Sequence, residues 1–259
     1  MIIEPSRNYT LVPDPNRFNM HAHERYEIFC FLSGDAKYFV EGNIYKLKRN
    51  DILIIKKAES HSLLINTIVP YERITIHFSD DAVYPENEKI LDFLSQKPLG
   101  KNNRYAAEKC GNTNWIYYLD KMCQAKDLAT QRIYLNVILN ELFENAANAT
   151  EKSHYHDSTA DIIQYINKNL TEIPNLETVC NRFFISKTQL NRNFKRMTGS
   201  TVWEYIITKR LLLAKEYLKS GITATIACEK SGFSDYCSFF KLYKKKFACS
   251  PKEDYKKSD

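Results

Sequence analysis

Three histidines and one glutamate near the N-terminus of this 259-residue chain have the types and spacing to do chemistry. His21, His23 and Glu27 fall within seven residues, and His61 closes the segment DILIIKKAESH. Imidazole nitrogens and a carboxylate oxygen on neighbouring strands supply the donors that hold a divalent first-row metal. The same groups could line a pocket that hydrogen-bonds a polar ligand, or be strand polars with a purely structural part. His154 and His156 form another His-x-His, but they lie in a polar stretch without periodicity, where solvated rings are expected.

The elements that must position the first group are short and strand-like. YEIFCFLSG, AKYFVEG, NIYKLKRN, DILIIKK, HSLLIN and ERITIHF follow one another within the first 80 residues, separated by Gly, Asn and Asp turn signals. That spacing predicts a β-sandwich or small barrel. From about Glu86 the pattern changes, and from Trp115 to Asn148 Leu128, Leu135, Ile138 and Leu142 recur with helical period. Such a stripe must be buried against the barrel or against a second subunit, and a homodimer through it is the expectation. The polar run from Asn145 to Thr159 is read as a linker, with only helices after it. The predicted segments are 1–85 for the barrel, 86–148 for a helical dimerisation region, 149–159 for the linker and 160–259 for the last domain.

Composition agrees with two folded domains. The chain is 44% hydrophobic and 26% charged, which is globular usage and excludes a disordered class. Apolar runs are broken well short of the roughly 18 residues of a membrane helix, and the start MIIEPSRNYT has no secretory pattern, so a cytoplasmic protein is expected. Seven cysteines without a Cys-x-x-Cys pair suggest reduced, packed thiols. The net charge of +6 is uneven: from Asp157 onward 18 Lys and Arg face 11 Asp and Glu, against 19 and 20 in the rest. A neutral half joined to a basic half fits one domain that meets a polyanion.

The basic half repeats itself. FKRMTGSTV from Phe194 answers YKKKFACSP from Tyr243, and Ile185-Ser186 answers Phe233-Ser234. Each copy reads as a helix, a tight turn and a second helix. Asn175 is placed to cap the first helix, Ser186 with Gln189 has capping-box spacing, and Ser234 or Asp235 caps the last. On the second helix of each unit Lys187, Thr188, Asn191, Arg192 and Lys195, then Tyr236, Cys237, Phe240, Lys241, Lys244 and Lys245, are predicted to face outward. Leu190, Phe194, Phe239 and Tyr243 are predicted to face inward. A single basic helix face is ordinarily just solvated; two copies with matching caps and cores point instead to a duplex, whose bases need polar side chains and whose phosphates need cations.

The segment from about Asp161 to Tyr255 resembles the DNA-binding domain of the AraC/XylS family of transcriptional regulators, above all in GFSDYCSFFKLYKKKFACSP (Gly232 to Pro251) and SKTQLNRNFKRMTG (Ser186 to Gly199). The resemblance implies two helix-turn-helix units, with Thr188, Asn191, Arg192, Tyr236, Cys237 and Lys241 as base readers. Phe184 stands where the second unit has Gly232, and if that turn needs a left-handed backbone its side chain costs about 1–2 kcal/mol; Ala248 stands where the family has glycine. His21 to Gly34 matches the first cupin motif, H-x-H-x3-E-x6-G. The second motif is degraded, with Asn50 for glycine, Lys57 for proline and Asn66 one residue late.

The fold class implied is multidomain: an N-terminal all-β cupin-like barrel with appended helices, and a C-terminal all-α double helix-turn-helix domain. The implied function is a ligand-responsive regulator that binds a double-stranded DNA operator and, if an activator, RNA polymerase. His21, His23, Glu27 and His61 would bind a small-molecule effector, often a sugar in this family. No catalytic residue, metal, cofactor or membrane partner is expected. Two rivals are a metal-dependent cupin enzyme with a basic accessory domain, and a nucleoid-type binder with little sequence preference.

Overall fold

Strand β2 (Tyr26–Ser33) is buried along nearly its whole length, because the sheet it belongs to is covered on both faces. Alternate residues point opposite ways along a strand. Ile28, Cys30 and Leu32 join Ile52, Ile54, Ile74 and Ile76 in one apolar cluster. Phe29 and Phe31 join Leu53, Ile55, Tyr38, Leu63 and Tyr71 in another. The computed structural model describes residues 1–14, 18–110, 114–150 and 158–256, and its chain divides into two compact units, Met1–His156 and Asp157–Asp259.

In the first unit β1 (Ile3–Thr10), β2, β3 (Ala36–Val40), β4 (Asn43–Lys46), β5 (Ile52–Ile55), β6 (His61–Ile65) and β7 (Tyr71–Phe78) are followed by α1 (Glu88–Gln96) and β8 (Arg104–Tyr105). Helices α2 (Trp115–Gln124) and α3 (Leu128–Glu144) and a short strand β9 (Ala149–Thr150) complete it. One sheet runs β1-β7-β2-β5-β8-β9 and the other β4-β3-β6. The sequence reading missed β1, an edge strand whose polar residues hide its period; it pairs with β7 from Ile3–Phe78 to Thr10–Tyr71. Arg7 pins it with Glu72 and Asp120 at 2.9 and 2.5 Å. The boundary at residue 85 also shifts, since β8 and β9 extend the six-stranded sheet beyond β5.

The helical stripe is core. Leu135, Ile138 and Leu142 pack with Ile28, Ile54 and Ile76 on the outer face of the large sheet, while Leu128 stays 41% exposed. The use of these leucines as a dimer face is therefore corrected: periodicity showed that the face is buried, and the sheet beneath it is what covers it. The expected linker lies largely outside the described residues, as do His154 and His156.

The second unit is helical: α4 (Ser158–Lys168), α5 (Leu176–Phe183), α6 (Lys187–Thr198), α7 (Val202–Lys219), α8 (Ala224–Lys230), α9 (Tyr236–Phe247) and α10 (Pro251–Lys256). Asn175 caps α5 through the Thr178 amide at 3.2 Å, and Asp235 caps α9 through Cys237 and Ser238. Ser186 accepts from the Gln189 amide, whereas the reciprocal capping box forms one helix later, at Thr201 and Glu204. The two turns are equivalent: Ile185 N donates to Cys180 O and Phe233 N to Cys228 O, both at 3.1 Å. Phe184 (φ 51°) is left-handed, which meets the condition set by its alignment with Gly232, and Ala248 (φ 57°) is left-handed as well.

Two outcomes follow from this packing. Leu135→Glu with Leu142→Glu should abolish the cooperative unfolding transition of the first unit rather than yield folded monomers, as thermal circular dichroism would show. Phe184 is 97% exposed, so Phe184→Gly loses no packing and should stabilise by about 0.5–1 kcal/mol in urea unfolding. Gly232→Ala should instead cost about 1–3 kcal/mol, because a Cβ there would lie 2.8 Å from the Thr171 Cα.

Candidate functional site

Glu27 lies on the inner face of β2, between the two sheets, on the same side as Phe29. Antiparallel pairing sets its neighbours. Glu27 stands opposite His77 of β7, and an isolated bridge joins His21 to His61, with both amides donating across it at 3.0 and 2.9 Å. Residues directly opposite project to the same side of a sheet, so the two pairs deliver their rings to one place.

The result is a carboxylate ringed by imidazoles. Glu27 Oε2 is 3.2 Å from His23 Nε2, 3.2 Å from His61 Nε2 and 3.1 Å from His77 Nε2. The Tyr38 hydroxyl donates to the other oxygen at 3.0 Å. The far nitrogens are held as well: His21 Nδ1 meets Asn19 O at 3.0 Å, His23 Nδ1 meets Arg25 O at 3.0 Å and His61 Nδ1 meets Glu59 O at 2.8 Å. Residue 59 is itself immobilised, since its buried carboxylate accepts from the Lys56 and Gly100 amides and the Asn103 side chain. The four expected residues His21, His23, Glu27 and His61 are thus brought together, with donor atoms within 4.8 Å of one another. His77 was missed by sequence reading, because only the β2–β7 register places it there.

Electrostatics match the geometry. Burial alone would raise the Glu27 pKa, but the His61 charge and the bonds from His23 and His77 outweigh it and hold the carboxyl well below its ordinary value. Burial depresses His61, yet Glu27 reverses the balance and raises it. His21 is pushed down to about 4 by desolvation and by His61. The cluster opens into a cavity of about 120 Å³ whose walls include Phe18, Phe29, Tyr38, Leu63, Arg73 and Thr75.

The second site is the pair of helix faces. Lys187, Thr188, Arg192 and Lys195 on α6 are exposed, as are Tyr236, Cys237, Phe240, Lys241, Lys244 and Lys245 on α9. Leu190, Phe194, Phe239 and Tyr243 are fully buried. Asn191 departs from expectation: it is half-buried, and its side-chain oxygen accepts from the Val202 amide at 3.2 Å, which fastens α7 to α6. Arg196 adds an exposed cation on α6 that the outward pattern had left out. Arg210 of α7 ties down the connection between α4 and α5 by donating to Leu170 O and Ile173 O.

These two domains define a transcriptional regulator in which a ligand-binding domain precedes a helix-turn-helix DNA-binding domain. Family models match both parts, an AraC-like ligand binding domain over residues 13–113 and a helix-turn-helix domain over residues 179–257. The chain belongs to the AraC family of transcriptional regulators. It is 24% identical to the HTH-type transcriptional regulator YfiF of Bacillus subtilis, over 91% of this chain and 79% of that one. It is 22% identical to the HTH-type transcriptional activator RhaS of Escherichia fergusonii, over 91% and 87%. Among solved structures it is similar to ToxT of Vibrio cholerae, at 16% identity and a TM-score of 0.42, covering 98% of this chain and 97% of that one. No helix among the described residues is long and apolar enough to cross a membrane.

Glu27→Leu should destabilise the first unit by about 3–5 kcal/mol, because it strips the buried His61 and the half-buried His23 and His77 of their shared carboxylate while leaving the rings in place. Urea unfolding followed by tyrosine and tryptophan fluorescence measures this; a loss below about 1 kcal/mol would show that the carboxylate is dispensable to the fold.

Proposed function

We propose that the chain is a sequence-specific regulator that reads an operator with α6 and α9 and senses a small polar effector at the Glu27 cluster. The observation that carries the first part is the repeat itself: two units with the same turn hydrogen bond, the same buried positions and an exposed cationic face. Helix α7 has 18 residues, about 27 Å, which spaces the units on a scale comparable with the roughly 34 Å turn of B-DNA. On α6, Arg192 and Thr188 are the candidate base readers, with Lys187 and Lys195 towards phosphates. Asn191 is left out of the reading set because its side chain holds α7. On α9, Tyr236 and Cys237 offer thymine-methyl contact, Lys241 offers polar base contact, and Lys244 and Lys245 neutralise phosphate.

The sensing part rests on the cluster's place inside the ligand-binding domain. Its cavity of about 120 Å³ is well below the roughly 300 Å³ at which small-molecule pockets ordinarily begin, which favours an effector smaller than the sugar expected from the family resemblance. Binding rather than turnover is the reading adopted, in keeping with relatives that are regulators along nearly the whole chain. With the leucine stripe in the core, no surface is assigned to a homodimer or to RNA polymerase.

The test is an operator selected from random duplex DNA by the purified protein, followed by anisotropy titrations over a salt series. Arg192→Ala should cost about 1–3 kcal/mol on the selected sequence and relax the preference at one base pair. Lys245→Ala should weaken all duplexes about equally and lower the salt slope by roughly one. Equal losses for Arg192→Ala on selected and random DNA would refute base reading, and failure to enrich any sequence would favour a nonspecific binder.

A further inference from the structure

We propose that α9 reads the C5-methyl groups of pyrimidines in the major groove, with Phe240 as a specificity-determining residue beside Tyr236 and Cys237. Its part of the operator is then specified by thymine, or by 5-methylcytosine, through apolar contact rather than through hydrogen bonds. This deepens the operator reading and rests on it.

The internal repeat shows why an apolar residue is free to stand at position 240. Phe194 answers Tyr243, so Asn191 answers Phe240 and Val202 answers Pro251. In the first unit the Val202 amide, at the start of α7, needs an acceptor, and the Asn191 side chain supplies it at 3.2 Å. In the second unit the corresponding helix, α10, starts at Pro251, which has no amide hydrogen to satisfy. The need for a polar side chain at that position is gone, and Phe240 occupies it at 36% exposure. A phenyl ring is neither a donor nor an acceptor in the ordinary sense, so it cannot read a base edge by hydrogen bonding.

Phe240 belongs to a three-residue face. Tyr236 lies four residues before it and Cys237 three, the spacings that bring side chains together on a helix. Tyr236 is 41% exposed, with its ring 6.5 Å from that of Phe240 and 5.8 Å from that of the fully buried Phe239. Leaning on a core ring, Tyr236 and Phe240 form a preformed apolar surface, which the exposed Cys237 thiol extends. Lys241, Lys244 and Lys245 are exposed along the same helix. The cations suit a polyanion, and the apolar group that duplex DNA offers in its major groove is the C5-methyl of thymine. Helix α6 differs at the matching positions, where Lys187 and Thr188 expose groups that donate or accept hydrogen bonds. The two faces therefore suit different readouts, base-edge hydrogen bonds on α6 and methyl groups on α9.

In the operator selected by the full-length protein, each thymine is replaced in turn by uracil, which removes the methyl and keeps the hydrogen-bonding edge. Anisotropy titration should show binding about three- to fivefold weaker at a cluster of thymines, away from the base pair whose preference Arg192→Ala relaxes. A cytosine placed at one of these positions should regain a similar factor when it is methylated at C5. Phe240→Ala and Tyr236→Ala should each weaken binding to the thymine operator and bring the thymine-to-uracil ratio there close to one. Lys245→Ala should lower both affinities and keep the ratio. Where Phe240→Ala does not fold by circular dichroism, Tyr236→Ala carries the comparison. Indifference to uracil throughout, a ratio undiminished in the aromatic variants, or no gain on methylating the cytosine would overturn the proposal and leave sequence-specific binding standing. Operator affinity unchanged in the aromatic variants would also overturn it, and would assign the two rings to contact with another protein. Failure to enrich any sequence would overturn this inference together with the operator reading.

Discussion

A carboxylate buried between two sheets is tolerated only if its charge is answered there, and the arrangement of the first unit provides that answer. Glu27 sits on the inner side of β2 with Tyr38 at one oxygen and three imidazoles around the other. Leaving such a group unanswered would cost several kcal/mol, so the register of β2 with β7 and the bridge between residues 21 and 61 are under strong constraint. A one-residue slip of β7 would turn His77 to the opposite face of the sheet and carry its apolar partners with it. The polar cluster and the apolar packing therefore specify the same pairing.

The outer face of the same sheet has the opposite requirement. Ile28, Ile54, Ile74 and Ile76 present a continuous apolar surface, and α1, α2 and α3 exist in this unit to cover it. Asn136 on α3, itself buried, accepts from the Tyr84 amide and donates to Ala82 O, which locks the helix to the segment that leaves β7. The polar cluster on one side of β2 and helix packing on the other are thus two faces of one strand.

In the second unit the repeated element is a turn rather than a sheet. The carbonyls of Cys180 and Cys228 each accept from the residue just past a left-handed position, and that shared bond sets the angle at which α6 and α9 leave their partners. Gly232 meets the requirement without strain and with Thr171 pressed against it; Phe184 meets it in open solvent at a conformational cost. The strain is local, and the buried rows of Leu190, Phe194, Phe239 and Tyr243 hold α6 and α9 in place regardless.

Much of this was legible in the chain. The strand runs, the His-x-His-x3-Glu spacing, the duplicated helix pairs and the basic second half are local patterns, and local patterns survive translation into structure because period, capping and charge act over a few residues. Asn175 and Asp235 cap as their types suggest, and Phe184 adopts the left-handed turn that its alignment with Gly232 implied. What depended on partners distant in sequence was not legible. His77 joins Glu27 through a pairing fifty residues long in the chain, Leu135 and Leu142 show a buried face without showing what buries it, and Asn191 looks outward by helical phase yet is captured by the start of α7. Sequence by itself determined which residues had to be hidden and which were equipped to bind; only the tertiary structure decided which of them meet, because register and packing are settled by contacts between segments that no single stretch of chain contains.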